Sequence, residues 1–400
     1  MSDSSQLNPV LGRLRLWSSL VGIAGVLLCA LGWYLSPADF YPAYLVAVLF
    51  WLGMAVGSLA VLMLHNLTGG GWGLPIRRIQ EATLINLALM ALLFLPLVPG
   101  LPDLYLWARP GAIEDDEILR RKVHYLNVDF FLIRAAIYFT IWIVLSFILN
   151  WLSAQTQSDD ALPQAAYRQQ RRLALVSGPG LVLWALSVTF ASVDWAMSLE
   201  PHWYSSMYGV LFMAGQGVSA LSFAIIAAVG LKACTGWPTS LSSDRLNDLG
   251  NLLLAFVMFW AYVSFAQFLI IWSANLPEET PWYLHRFAPG WHWLAIGLVV
   301  LHFVTPFMLL LWRQAKREPA WLASIAGLLL FMRLVDLTWM VMPTFSPDHF
   351  RLSWLNFVTP VAVGGLWLAV FAWRLPARAA LPVPEPIDDE EEVHGLEHAH

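Results

Sequence analysis

Ten stretches of about twenty predominantly apolar residues follow one another along this 400-residue chain, separated by short polar loops, and they leave few folds open. Crossing the hydrocarbon of a bilayer takes roughly 20 such residues in a helix, because a lone segment must satisfy its own backbone there. The stretches run approximately from Leu14 to Tyr34, Ala43 to Leu64, Ile79 to Val98, Val128 to Trp151, Leu173 to Trp195, Ser205 to Leu231, Asp248 to Trp272, Trp291 to Trp312, Trp321 to Met342 and Leu355 to Trp373. A soluble domain could not hide a composition that is 58 % hydrophobic and only 12 % charged. The sequence therefore predicts an all-α, polytopic membrane protein. The first stretch follows Arg13 and Arg15 as a signal peptide would, but it lacks an A-x-A cleavage site and is expected to be a retained helix.

Lys and Arg set the expected orientation. Fourteen lie at the termini or in the loops after helices two, four, six and eight, among them Arg77, Arg78, Lys232, Arg245, Lys316 and Arg378; six lie in the opposite loops, four of them beside the acidic run 114–117. Both termini should then be cytoplasmic. The expected layout is a short cytoplasmic tail (1–13), a ten-helix membrane domain (14–375) and a disordered acidic tail (376–400). The tail holds seven acidic side chains in its last sixteen residues; setting them aside turns the net charge of −5 into about +2, so no basic face for nucleic acid exists. His394, His398 and His400 in it have no metal-site spacing.

Between helices five and six, SVDWAMSLEPHWYSSMYG (Ser192 to Gly209) joins two halves of the chain. Helix five ends in Val193, Asp194, Trp195, and helix nine carries Val335, Asp336, Leu337, Thr338, Trp339. This weak repeat makes helices two to five and six to nine two four-helix bundles in the same sense, with two peripheral helices. Another loop, NLPEETPWYLHR (Asn275 to Arg286), is equally rich in aromatics and acids, and the pair reads either as a docking surface or as a folded lid.

Each ionised side chain in mid-span costs roughly 3 kcal/mol on insertion scales, so those present are candidates for function. Arg333 and Asp336, three apart, share a helix face; Asp194, Asp129, Arg134 and Gln267 lie toward the outer side, and His302 and Gln216 near mid-depth. His65, Glu81, Asn86, Asp248 and Asn251 form an inner set. The division fits two half-channels meeting at a gate, or polar groups preferring span ends, where Glu81, Asp248 and Asp129 could snorkel or cap.

Redox chemistry within the chain is hard to build. Cys29 and Cys234 are the only cysteines, which leaves no iron-sulfur ligation, disulfide framework or CxxCH attachment, and His302 alone is deep enough for haem. HNLTGGGWG (His65 to Gly73) lacks GK[ST], so a helix C-cap and tight turn explain its glycines better than a phosphate loop.

Together HNLTGGGWG, DWAMSLEPHWYSSMYGVLFMAGQ and AFVMFWAYVSFAQFLIIWSANLPEETPWYLHR resemble the NrfD-like family of polysulphide-reductase membrane subunits, and most closely the F subunits of bacterial alternative complex III, a quinol:cytochrome c (or oxidase) oxidoreductase. The resemblance covers nearly the whole span region. It implies ten helices around two four-helix bundles, no covalent or metal cofactor, and as partners a paralogous C subunit, an iron-sulfur subunit, c-type haem subunits and a terminal oxidase, besides lipids. It also implies proton translocation through half-channels, with Asp194, Arg333 and Asp336 on the outer route and His65, Glu81 and Asp248 inward.

The expected function is therefore a non-redox membrane subunit that carries protons through Asp194, Arg333, Asp336, His302, His65, Glu81 and Asp248 while partner chains carry electrons. Binding of quinol or menaquinol is a further expectation, with Asp194, His202, Trp203, Arg134 and Gln267 as its residues and Asp194 and His202 lining one outer pocket. A secondary transporter or a purely structural anchor of the assembly would share the same spans.

Overall fold

In the computed structural model, which describes residues 3–155 and 163–380, ten helical units are long and apolar enough to cross a membrane. They run Leu7–Leu35, Pro37–Thr68, Leu74–Leu104, Val128–Ala154, Arg168–Leu199, Tyr208–Thr235, Ser243–Ala274, Trp291–Leu311, Pro319–Thr344 and Leu355–Ala379, here spans 1 to 10. Among the described residues there is no strand. Ten crossings bring both ends of the described chain to one face, here the proximal face; the opposite one is distal.

Spans 2 and 6 form the core. In its most apolar window span 2 is 89 % buried and span 6 is 78 % buried, against 22 to 28 % for spans 1, 5, 7 and 8. Span 2 packs on spans 3 and 5, span 4 lies against span 5, and span 6 packs on spans 7 and 9, with span 8 between spans 7 and 9. The two groups meet along spans 2 and 6, and span 10 lies against span 2 with span 1 on its other side. Small residues permit the close approaches: a Cβ at Gly25 would come within 2.6 Å of Ala362, and one at Gly57 would collide with the backbone of Gln216.

Local structure departs from the expected helices in several places. The first helix already begins at Asp3, so most of the expected tail 1–13 is helical. Span 3 begins at Leu74, with Pro75 in its first turn, five residues before the apolar run; Arg77 and Arg78, expected as loop cations, are consequently buried helix residues. The same span is interrupted between Thr83 and Asn86 and winds into a 3-10 segment at Leu95–Gly100, where Pro96 and Pro99 lack the amide that an α-helix needs. Span 8 contains a π-helical stretch, Leu298–Val304, which holds His302. The last helix runs through Pro376 to Ala379, and residues 381–400, with most of the expected acidic tail and its three histidines, lie outside the described residues, as do residues 156–162.

Candidate functional site

The buried charges gather in separate clusters. Distally, in the first half, Asp194 is fully buried and takes two bonds from Arg134, Nε to Oδ2 at 2.7 Å and Nη2 to Oδ1 at 3.0 Å. Tyr138 donates its hydroxyl to Oδ2 at 2.8 Å. Arg134 also donates to the Tyr125 carbonyl and lies against the rings of Tyr125 and Phe130, at 3.9 and 4.3 Å from their centroids. Burial, reinforced by the Asp194 charge, raises the Tyr125 hydroxyl above its usual range, so it stays protonated at ordinary pH. With both oxygens bonded in a bidentate pair, Asp194 is a clamp between spans 4 and 5.

The equivalent place in the second half is built differently. Asp336 receives Arg333 Nη1 and, at 3.2 Å, Trp260 Nε1, both on the single oxygen Oδ2. The guanidinium of Arg333 packs on Gly215 of span 6, where a Cβ would collide with it. His302 is fully buried with its ring 4.2 Å from that of Trp260. Neither of its nitrogens makes a hydrogen bond of good geometry, only a loose approach to the Met332 carbonyl. One carboxylate, one guanidinium and one imidazole with spare valences thus share a buried site.

Proximally, Glu81 is enclosed by donors: Arg77 Nε at 3.2 Å, Arg78 Nη1 at 2.5 Å and Ser153 Oγ at 2.6 Å. His65 lies next to it, its Nδ1 3.5 Å from Arg77 Nη1 and its Nε2 3.1 Å from the Gly70 carbonyl. The glycine run accounts for this position. Gly69 caps span 2 by donating to the His65 carbonyl, Gly69 and Gly70 have positive φ, and a Cβ on Gly73 would strike the imidazole. Asp248 is not brought into this cluster; it is half-exposed and 4.0 Å from Arg245. Asn251 instead accepts from the buried Lys316 at 2.6 Å.

A string of buried polar atoms, placed between the clusters by their positions along spans 2, 3 and 6, has no hydrogen-bond partner among the described residues: Ser58 Oγ, Gln80 Oε1, both amide atoms of Asn86, Gln216 Oε1 and Ser222 Oγ. Gln216 lies over Gly53 and Gly57 of span 2, and Gln80, next to Glu81, reaches the Ala220 carbonyl of span 6 at 3.4 Å.

The two aromatic loops close over the distal end of the second half. Glu200 Oε1 accepts from Arg286 Nη1 and from Thr344 Oγ1, each at 2.9 Å. Arg286 lies 3.6 Å over the Trp282 ring, which stacks on Trp203 at 4.7 Å. Burial lowers the Arg286 pKa and the Glu200 carboxylate opposes that shift. Gln267 accepts from Ser205 at 3.0 Å beneath this lid. His202 points the other way, exposed, 2.6 Å from Asp116. The five expected quinol residues are therefore split: Asp194 with Arg134 in the clamp, Trp203 and Gln267 with the lid, His202 outside. Asp194 is buried against Arg134 and Tyr138, whereas His202 is exposed beside Asp116.

Sequence reasoning missed Arg77 and Arg78, although their spacing of four and three residues from Glu81 places all three on one helix face. It also missed the Glu200–Arg286 pair and Trp260, contacts between distant segments for which no local pattern exists. Neither a family model nor a curated protein matches this chain.

Proposed function

We propose that this chain is a proton-carrying membrane subunit of a respiratory quinol-oxidising assembly of the alternative complex III type, in which partner chains hold the redox centres. The motif resemblance supports the kind of assembly, and the buried polar string supports the proton role. Leaving one buried donor or acceptor unsatisfied costs about 1–3 kcal/mol. Six atoms on Ser58, Gln80, Asn86, Gln216 and Ser222, with the His302 ring besides, would together cost on the order of 10 kcal/mol, comparable with the whole stability of a domain at about 5–15 kcal/mol. Bridging waters remove that cost, and bridging waters conduct protons.

In this reading Asp336 and His302 exchange protons with the distal side, which the bias of Lys and Arg assigns to the extracytoplasmic face. The Arg333–Asp336 contact opens when a proton arrives on the carboxylate. Gln216, Ser222 and Gln80 carry the water file across the contact between the halves to Glu81 and His65. The clamp of Arg134 on Asp194 holds spans 4 and 5 together and does not exchange. Quinol enters as the reductant of the assembly; a ring oxygen at Gln267, beneath the lid, would take the long Nε2 contact from the Tyr283 hydroxyl.

Gln216→Leu is the direct test, since it keeps side-chain bulk and every ion pair but interrupts the file. The purified assembly, reconstituted in vesicles with a pH dye inside and started with a reduced quinol, should lose proton movement about tenfold or more, equivalent to raising the barrier by about 1.4 kcal/mol. Unchanged proton movement per electron by an intact Gln216→Leu assembly would refute the role.

One feature favours a second reading. The break at Thr83–Asn86 places both unpartnered Asn86 amide atoms at an interrupted helix, as in secondary transporters that bind small solutes there. Solute-dependent uptake by the purified chain alone, without electron donors, would favour that reading.

A further inference from the structure

A cavity of about 310 Å³ lies at the distal end of the molecule, bounded by spans 1, 2, 3 and 10 and unconnected with the charged clusters. Its walls include Val26, Cys29, Trp33, Phe40, Tyr44 and Leu93. Packing explains why it exists. Span 1 is drawn onto span 10 through Gly22, Gly25 and Gly32 and reaches span 2 through the Trp33–Tyr41 hydrogen bond, which leaves a gap lined by Val26 and Cys29. Span 3 cannot fill the gap, because at that depth it has already turned into the 3-10 segment with Pro96 and Pro99.

The wall chemistry defines the occupant. The Tyr44 hydroxyl is committed to the Leu93 carbonyl at 2.7 Å, and Trp33 Nε1 to the Tyr41 hydroxyl at 2.7 Å. Neither donor is left for a ring oxygen or a head group, so the cavity rewards only hydrocarbon. Val26, Trp33, Pro96 and Pro99 are also exposed on the molecular surface, so the cavity opens sideways where the bilayer lies. Apolar cavities of roughly 150 Å³ already take up benzene or xenon. This one is twice as large and faces a solvent made of hydrocarbon chains.

We propose that this cavity is a lipid site that holds the end of one phospholipid acyl chain, clamped between the first and last spans. The proposal is independent of proton transfer. It is tested on the native assembly in nanodiscs of phosphatidylcholine doped with phosphatidylcholine carrying a diazirine on one acyl chain. After photolysis, peptide mass spectrometry should find adducts concentrated on residues 26–33 and 40–44. Ala30→Trp, which adds bulk at the wall, should reduce them by about tenfold, the change produced by about 1.4 kcal/mol of lost contact. Adducts on Phe147 and Trp151, exposed on span 4, should not change. Cys29→Leu, a milder filling, should lower the yield in the same direction if Ala30→Trp fails to fold. Equal labelling of both regions, unaffected by either variant, would overturn the proposal. So would displacement of the adducts by a long-chain isoprenoid quinone, which would assign the cavity to an isoprenoid tail instead.

Discussion

Asp336→Asn, set against the double variant that also carries Arg333→Gln, separates stability from function. The substitution keeps the shape that Trp260 Nε1 meets at 3.2 Å but removes the charge facing Arg333. At an effective dielectric of 20, opposite charges about 4 Å apart attract by about 4 kcal/mol. Breaking a buried pair from one side typically costs 3–5 kcal/mol, because the remaining charge is stranded. Asp336→Asn should therefore lower the midpoint of detergent-solubilised thermal unfolding, and proton movement should stop. Arg333→Gln combined with Asp336→Asn removes the stranded charge, so stability should return to within about 2 kcal/mol of the original, since isosteric replacement of a buried pair is often neutral. Proton movement in vesicles should stay lost in this double variant, because neither side chain can take up a proton. If the double variant is stable and moves protons normally, Asp336 is only structural. If Asp336→Asn alone is as stable as the parent, the stranded-charge reasoning fails.

The clamp predicts the opposite pattern. Asp194→Asn should destabilise by about 3–5 kcal/mol, while any assembly that still forms should move protons at the parental ratio; loss of proton movement in stable protein would place Asp194 on the route after all. The lid predicts that Trp282→Ala, which removes the Trp203 stack and the Arg286 platform, costs about 3–5 kcal/mol and opens the loop after span 7 to protease; unchanged cleavage would mean that the lid holds by Glu200–Arg286 alone. The Asp116–His202 latch is pH-dependent. The Leu119 amide first, then His202 and the Ile118 amide, hold Asp116 below the usual carboxylate range. A folded pKa lowered in this way gives stability that is complete above the ordinary value of about 3.9 and is lost as pH falls through the lower folded value. Hydrogen exchange over residues 112–127 should rise only below about pH 4; a rise between pH 7 and 5 would show that another group controls the loop.

The spans were legible in the sequence because a bilayer imposes one rule on every segment that crosses it, and ten apolar runs obey it visibly. Arg333 and Asp336 were legible for the same reason, since charge at that depth is anomalous whatever surrounds it. Arg77 and Arg78 were misplaced because hydropathy marks where the apolar run starts, whereas the helix starts at Leu74, five residues earlier. Asp194 and Asp336 looked alike from their neighbouring residues, yet one is clamped on both oxygens and the other is held on one. That difference depends on Arg134 and Trp260, which belong to other helices. Of the polar string, Asn86 and Gln216 stood out by depth, but Ser58, Gln80 and Ser222 did not, because such side chains near or within apolar runs are unremarkable until their burial and missing partners are known.

The seam between the first and last spans sets a timetable for biosynthesis. Gly22 meets Gly365 about 340 residues later in the chain. At about 5–20 residues per second, a ribosome would need roughly 20–70 seconds between the two. Throughout that interval the leading helix waits in the bilayer with its glycine face bare, accessible to any small-residue helix nearby. A chain stalled before its final hydrophobic segment would keep an adhesive edge that the finished molecule hides, giving quality-control proteases a physical mark of incompleteness.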